Sequence, residues 1–254
     1  MATALRSHPE IFVPEFKEAW LFGFVEDDEV GGANYQSFFS KWAGEPVVGE
    51  ATPEYLFRAE SAEQICRHLP EVKAIVMLRN PVDRAYSAYW HGERVGMNSG
   101  SFTDTIDAEF ASGLSLSIPF GELVRHGHYA EQIQRYFDNG LDRQRMLVLL
   151  SEEMLVDPAG SLSSVQKFLG VGPVLVDLPR SNVARASYLP RPVRSLLFRY
   201  WRTRPVKWIE FVTLRPFTPP PMDPEVRSRL VEHFRPWNER LAELLGRELT
   251  GWDR

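Results

Sequence analysis

Residues 72–89 read VKAIVMLRNPVDRAYSAY, and this stretch limits the fold more tightly than any other in the chain. Residues 74–78 are a short apolar run of Ala, Ile, Val, Met and Leu, which fits a buried strand. Asn80 then offers a capping oxygen. Pro81 stands where a helix does not need an N–H, so a helix is predicted from there. Asp83 adds negative charge to its first turn. The strand therefore delivers Arg79 to the mouth of a helix, a geometry that suits an anion, with backbone N–H groups and the guanidinium pointing the same way. Ser87, four residues after Asp83, shares that helix face. Read from the residues alone, the unit is equally a capped α/β crossover whose arginine meets a carboxylate.

LRNPVDRAYSAY resembles the 3′-phosphate-binding segment of sulfotransferases that use 3′-phosphoadenosine 5′-phosphosulfate (PAPS), of the heparan-sulfate-type and bacterial carbohydrate-type branch. Further segments follow that family's order: His8-Pro9, Lys17-Glu18-Ala19-Trp20-Leu21-Phe22, Gly49 to Leu56 (GEATPEYL), Gly127-His128-Tyr129, Met146 to Glu153, Asp157-Pro158, Phe168-Leu169-Gly170 and the closing Asn238 to Trp252. The resemblance implies an α/β fold, a central parallel sheet flanked by helices like that of P-loop NTPases. It implies one sulfotransferase-like domain over residues 1–254. It also implies PAPS as co-substrate, no metal, and a small-molecule or glycan acceptor.

By the same resemblance, Arg79 and Ser87 hold the nucleotide's 3′-phosphate. Asn182 and Arg185, in LPRSNVARASYLPRP, match a late nucleotide-contacting loop loosely, and an exposed loop is an equal reading. Glu18 takes the role of the base that removes the acceptor's proton, with Lys17 beside it favouring its ionised form. From spacing alone that pair is a solvated ion pair. Trp20 stands where the family often has histidine and offers an indole for a sugar ring. Thr52, Tyr55 and His128 complete the implied substrate contacts.

One family element does not occur. The family opens with a KxGTTSL-type loop around the 5′-phosphosulfate, and no KxGTT or GxxxxGK[ST] is present. The expectation is an N-terminally truncated domain, active only if residues upstream supply the loop. The alternative is an inactive remnant that keeps a 3′-phosphate pocket and acts as a binding module.

A content of 44% hydrophobic and 25% charged residues is ordinary for a globular domain, and a net charge of −5 gives no reason to expect nucleic-acid binding. The lone cysteine, Cys66, excludes an internal disulfide and reads as an apolar filler. A cytoplasmic location is expected. No apolar run reaches membrane-spanning length. GxSxG, GxGxxG and HExxH are absent, and no third ligand joins His126 and His128.

The coarse element order is a strand near Val47–Glu50, a helix from Ser61 with a Ser61/Gln64 capping box, the strand and helix described above, and a loop-rich middle over 99–118. A helix near Tyr129–Phe137, a buried strand Met146–Leu150 and a helix including Val165–Leu169 follow. Glu152-Glu153 are read as structural. The basic, aromatic stretch Arg191–Pro221 is read as a packed helix with its arginines in water, with a peripheral membrane contact or an acceptor lip as the other readings.

Overall fold

The structure, a computed structural model, describes residues 1–15, 18–30, 33–98, 100–113, 122–175, 185–187, 189–200 and 213–253. Lys17 and Asn182 lie outside these. The helices and strands in chain order are α1 (Ala2–Leu5), β1 (Ile11–Phe12), α2 (Ala33–Phe38), β2 (Val47–Val48), α3 (Glu54–Phe57), α4 (Ala59–His68), β3 (Ala74–Leu78), α5 (Pro81–Val95), α6 (Phe102–Ala111) and α7 (Tyr129–Asp138). Then come β4 (Met146–Leu150), α8 (Ser151–Val156), α9 (Pro158–Leu169), β5 (Arg185–Ser187), α10 (Arg191–Arg199), β6 (Leu214–Pro216) and α11 (Pro224–Leu245). The chain divides into two compact units, one of residues 1–79 and 131–179, the other of 80–130 and 180–254.

The first unit contains the parallel pairs. Ile11 and Phe12 lie opposite Val47 and Val48, and Ala74 through Leu78 run in register with Met146 through Leu150. Both five-residue strands occupy the segments predicted from sequence. Their burial differs from expectation, because β3 is only half covered and Met77 is 37% exposed. The reason is that, among the described residues, β3 has β4 as its one strand neighbour. One core cluster joins Leu5, Ile11, Val13, Leu149, Leu162 and Val165, covering β4 with α9. Another joins Leu21, Phe22, Tyr55, Ala62, Ile65 and Tyr136, so the 20s segment sits on α3 and α4.

In α4 the structure corrects the capping box. The helix begins at Ala59, and Ser61 is buried within it. Ser61 Oγ donates to Phe22 O at 2.7 Å. Gln64 accepts from Gly23 N at 2.7 Å and donates to Val25 O at 3.1 Å. The polar pair satisfies the backbone of a distant turn, because that turn is packed on the helix and its amides have no water to bond.

The second unit is built around α5. Val82, Ala85 and Tyr89 share one face and meet Phe102 and Ile106 of α6 and Val226, Leu230 and Phe234 of α11. The loop predicted across 99–118 is a helix over its first half. Ser101 accepts from Asp104 N while Asp104 accepts from Ser101 N, a reciprocal cap, and Phe102 and Ile106 anchor the helix in the core. Residues 114–118 lie outside the described ones.

The α5 helix ends at Gly96, whose φ of 77° is left-handed, and α10 packs there. Arg194 donates to Glu93 O and Arg191 to Gly96 O at 3.4 Å. Two arginines of the basic stretch thus serve the carbonyl-rich end of a helix, where cations are favourable. Residues 201–212 of that stretch lie outside the described ones. No described helix is long and apolar enough to cross a membrane.

Candidate active site

The strand-to-helix turn forms as its residues dictate. Asn80 Oδ1 accepts from Val82 N at 2.9 Å, and Pro81 opens the helix. That cap takes one of the first-turn amides, and Pro81 has none to give. An anion at this turn would therefore depend on side chains more than on backbone N–H groups. Arg79 is exposed at the end of the first unit, one residue past β3. Ser87 is exposed on α5 in the second unit. Asp83, on the same helix face as Ser87, is paired with Arg227 at 2.9 Å.

The segment carrying Glu18 is held by a compact polar network in the first unit. Glu50 follows β2, and its Oε2 accepts from Ala19 N at 3.1 Å and from Thr52 Oγ1 at 3.0 Å. Its Oε1 accepts from Tyr55 OH at 2.9 Å. Tyr55 OH in turn accepts from Leu21 N at 3.0 Å. Thr52 and Tyr55 are 7% and 9% exposed, and both hydroxyls are engaged with Glu50, so neither is presented as an open substrate contact. Burial pushes the Glu50 carboxyl above its ordinary value, its donors pull it back, and the charge of Glu18 raises it further.

Trp20 lies between the two clamped amides. Its φ is 52°, the one positive value at a non-glycine residue among the described residues. A bulky side chain in that region is strained by about 1–3 kcal/mol. Its ring meets Phe24 edge-on at 5.0 Å, and the Arg58 guanidinium lies over the Phe24 ring, 4.5 Å from its centroid. Beside them opens a cleft of about 470 Å³ lined by Gly23, Phe24, Glu26, Glu29, Arg58 and Glu60. Its acids outnumber its single arginine. Glu50 lies in the GEATPEYL segment, but no local pattern assigned it a role because its partners at 19–21 are reached across about 30 positions, and Arg58 and these acids carried no signal.

His128 belongs to the second unit and is 5% exposed. It stacks on Trp237 at 3.9 Å, and its Nε2 lies 2.9 Å from Nε2 of His233. Arg185 is in β5, paired antiparallel with β6. Among the described residues, no group of three or more His, Cys, Asp or Glu could hold a metal ion.

The comparisons bear on the whole chain. A family model described as "Sulfotransferase domain" matches residues 63–188. Human bifunctional heparan sulfate N-deacetylase/N-sulfotransferase 2 is 33% identical over 156 residues, covering 56% of this chain and 16% of that protein. Human heparan sulfate glucosamine 3-O-sulfotransferase 3B1 is 26% identical over 98% of this chain and 60% of its own length. The crystal structure of a sulfotransferase from Alicyclobacillus acidocaldarius is 29% identical, with a TM-score of 0.74 over 99% of this chain and 92% of that one. The chain belongs to the sulfotransferase family, and its fold is the α/β fold of that family. It spans 16% and 60% of the two human relatives.

Proposed function

We propose that this protein transfers a sulfuryl group from PAPS to a hydroxyl or amine of a carbohydrate acceptor. The observation that carries the reading is Arg79, exposed immediately past β3 and followed by an Asn80-capped helix, in a chain whose family transfers sulfuryl groups. A guanidinium at that position suits a phosphate, with two donors for two oxygens. Ser87 is assigned to the same nucleotide on its motif, and Asn182 and Arg185 on a looser one. PAPS supplies the activated sulfuryl group.

Glu18 is the proposed base. Sulfuryl transfer needs the acceptor atom to lose its proton as it attacks, and a positioned carboxylate contributes roughly 10²–10⁴ in rate. The acceptor is proposed to enter the cleft by Phe24, with Trp20 as the neighbouring ring. Glu26, Glu29 and Glu60 there disfavour a polyanionic chain and suit a neutral or amino-bearing sugar.

The test is calorimetry with 3′,5′-adenosine bisphosphate, together with transfer of labelled sulfuryl from PAPS to a panel of neutral, amino and sulfated oligosaccharides. Binding and transfer to neutral or amino sugars are expected. Tight nucleotide binding without transfer to any acceptor would favour a binding module instead.

A further inference from the structure

We propose that Glu50 is the positioning residue of this site: through Ala19 and Tyr55 it clamps the 19–21 backbone and so aims Glu18. This rests on the reading of Glu18 as the base.

The geometry is specific. Glu50 receives three donors, from Ala19 N, Thr52 Oγ1 and Tyr55 OH, and the last relays to Leu21 N. The backbone amides on both sides of Trp20 therefore end, directly or through one hydroxyl, on one carboxylate. Between them Trp20 is held at a φ of 52°, where the residue would not stay unassisted. Strain of this kind persists only where neighbouring contacts over-determine the backbone. Glu18 is the residue immediately before the first clamped amide, so the clamp sets the direction in which its side chain leaves the chain. Leu21 and Phe22 anchor the far end in the core.

Among the described residues, the charge facing Glu50 is that of Glu18, with Tyr35 and Tyr55 as titratable neighbours, and burial and Glu50's charge raise both tyrosines well above the ordinary phenol range. Burial raises the Glu50 carboxyl, and its three donors oppose that.

The experiment compares wild type, Glu50→Gln, Tyr55→Phe, Glu18→Gln and the Glu50→Gln/Glu18→Gln double variant by circular dichroism and by kcat and KM for PAPS and acceptor. Glu50→Gln keeps the side chain's size but loses acceptor capacity at one oxygen, so the clamp on the 19–21 backbone is expected to loosen while KM for PAPS is unchanged. The kcat is expected to fall about 10-fold, and the same substitution is expected to cost nothing further in the Glu18→Gln background, because Glu50 acts through Glu18. Tyr55→Phe cuts the relay to Leu21 N, so kcat is expected to fall with KM for PAPS unchanged. A folded Glu50→Gln protein with wild-type kcat, or one whose loss is undiminished in the Glu18→Gln background, overturns the proposal. So does a Tyr55→Phe protein with wild-type kcat. Full activity in Glu18→Gln instead removes the base assignment, which is a separate failure.

Discussion

Gly23 and Ser61 are in direct steric register: a Cβ at position 23 would fall inside contact distance of Ser61 Oγ and only 2.9 Å from Ser61 N. The turn at Gly23 has φ of 76°, and the Ser61 hydroxyl is committed to Phe22 O. The segment that carries Trp20 is thereby pressed onto α4 with no room for a side chain.

Replacing Gly23 with alanine adds both left-handed strain and this clash. A loss of about 2–3 kcal/mol is expected, read from chemical denaturation. Ser61→Ala should lose about 1 kcal/mol, because Phe22 O is left without its donor. A Gly23→Ala protein as stable as wild type would show that the turn relaxes away from the helix.

Glu109 is fully buried on α6, and its carboxylate accepts from Val124 N at 2.9 and 3.0 Å and from Arg125 N at 3.0 Å. Glu109→Ala would strand those amides, with an expected loss on the order of 3 kcal/mol. Burial raises the carboxyl above its ordinary value. The folded chain then takes up this proton before the unfolded chain does. Its contribution is fullest at low pH and shrinks as pH rises through the raised value. Wild type should accordingly lose stability relative to Glu109→Gln on raising the pH, and parallel stability curves would contradict this.

The His128–His233 contact has the opposite sign. Two imidazole nitrogens 2.9 Å apart share one proton, one donating and the other accepting. Burial first, then His233 and Arg125, lower His128 from 6.5 to about 4, and burial lowers His233. A base lowered on folding contributes stability that is present above its unfolded value and lost as pH falls toward the folded one. Between pH 6.5 and about 4 the loss from His128 should be on the order of 3 kcal/mol. Denaturation midpoints measured across that window should fall in wild type and flatten in His128→Asn.

Arg79→Ala should weaken binding of 3′,5′-adenosine bisphosphate by roughly 10–100-fold, the size of one charge-assisted contact, with the circular dichroism spectrum unchanged because the side chain is exposed. Equal affinity in the variant would remove Arg79 from the nucleotide site.

Local patterns were legible where the deciding partners are close in sequence. Asn80 caps Val82 two residues on, and Pro81 opens α5 as its fixed φ requires. Ala74–Leu78 and Met146–Leu150 are strands because apolar runs of that length, broken by a capping residue or an acidic pair, have few other uses. Ser101 and Asp104 are equally local, yet a stretch rich in Ser, Thr and Asp reads as loop until its cap is recognised.

The residues 72–95 determined by themselves a strand that ends at an arginine and a capped helix behind it, since propensity, capping and side-chain period act over a few positions. Only the tertiary structure decided what Ser61, Gln64, Glu50 and Tyr55 do. Their hydrogen bonds reach residues 34 to 41 positions away for Tyr55, Gln64 and Ser61, and 31 for Glu50. A buried polar group must find a partner wherever packing leaves one, and no local pattern records which amide that will be.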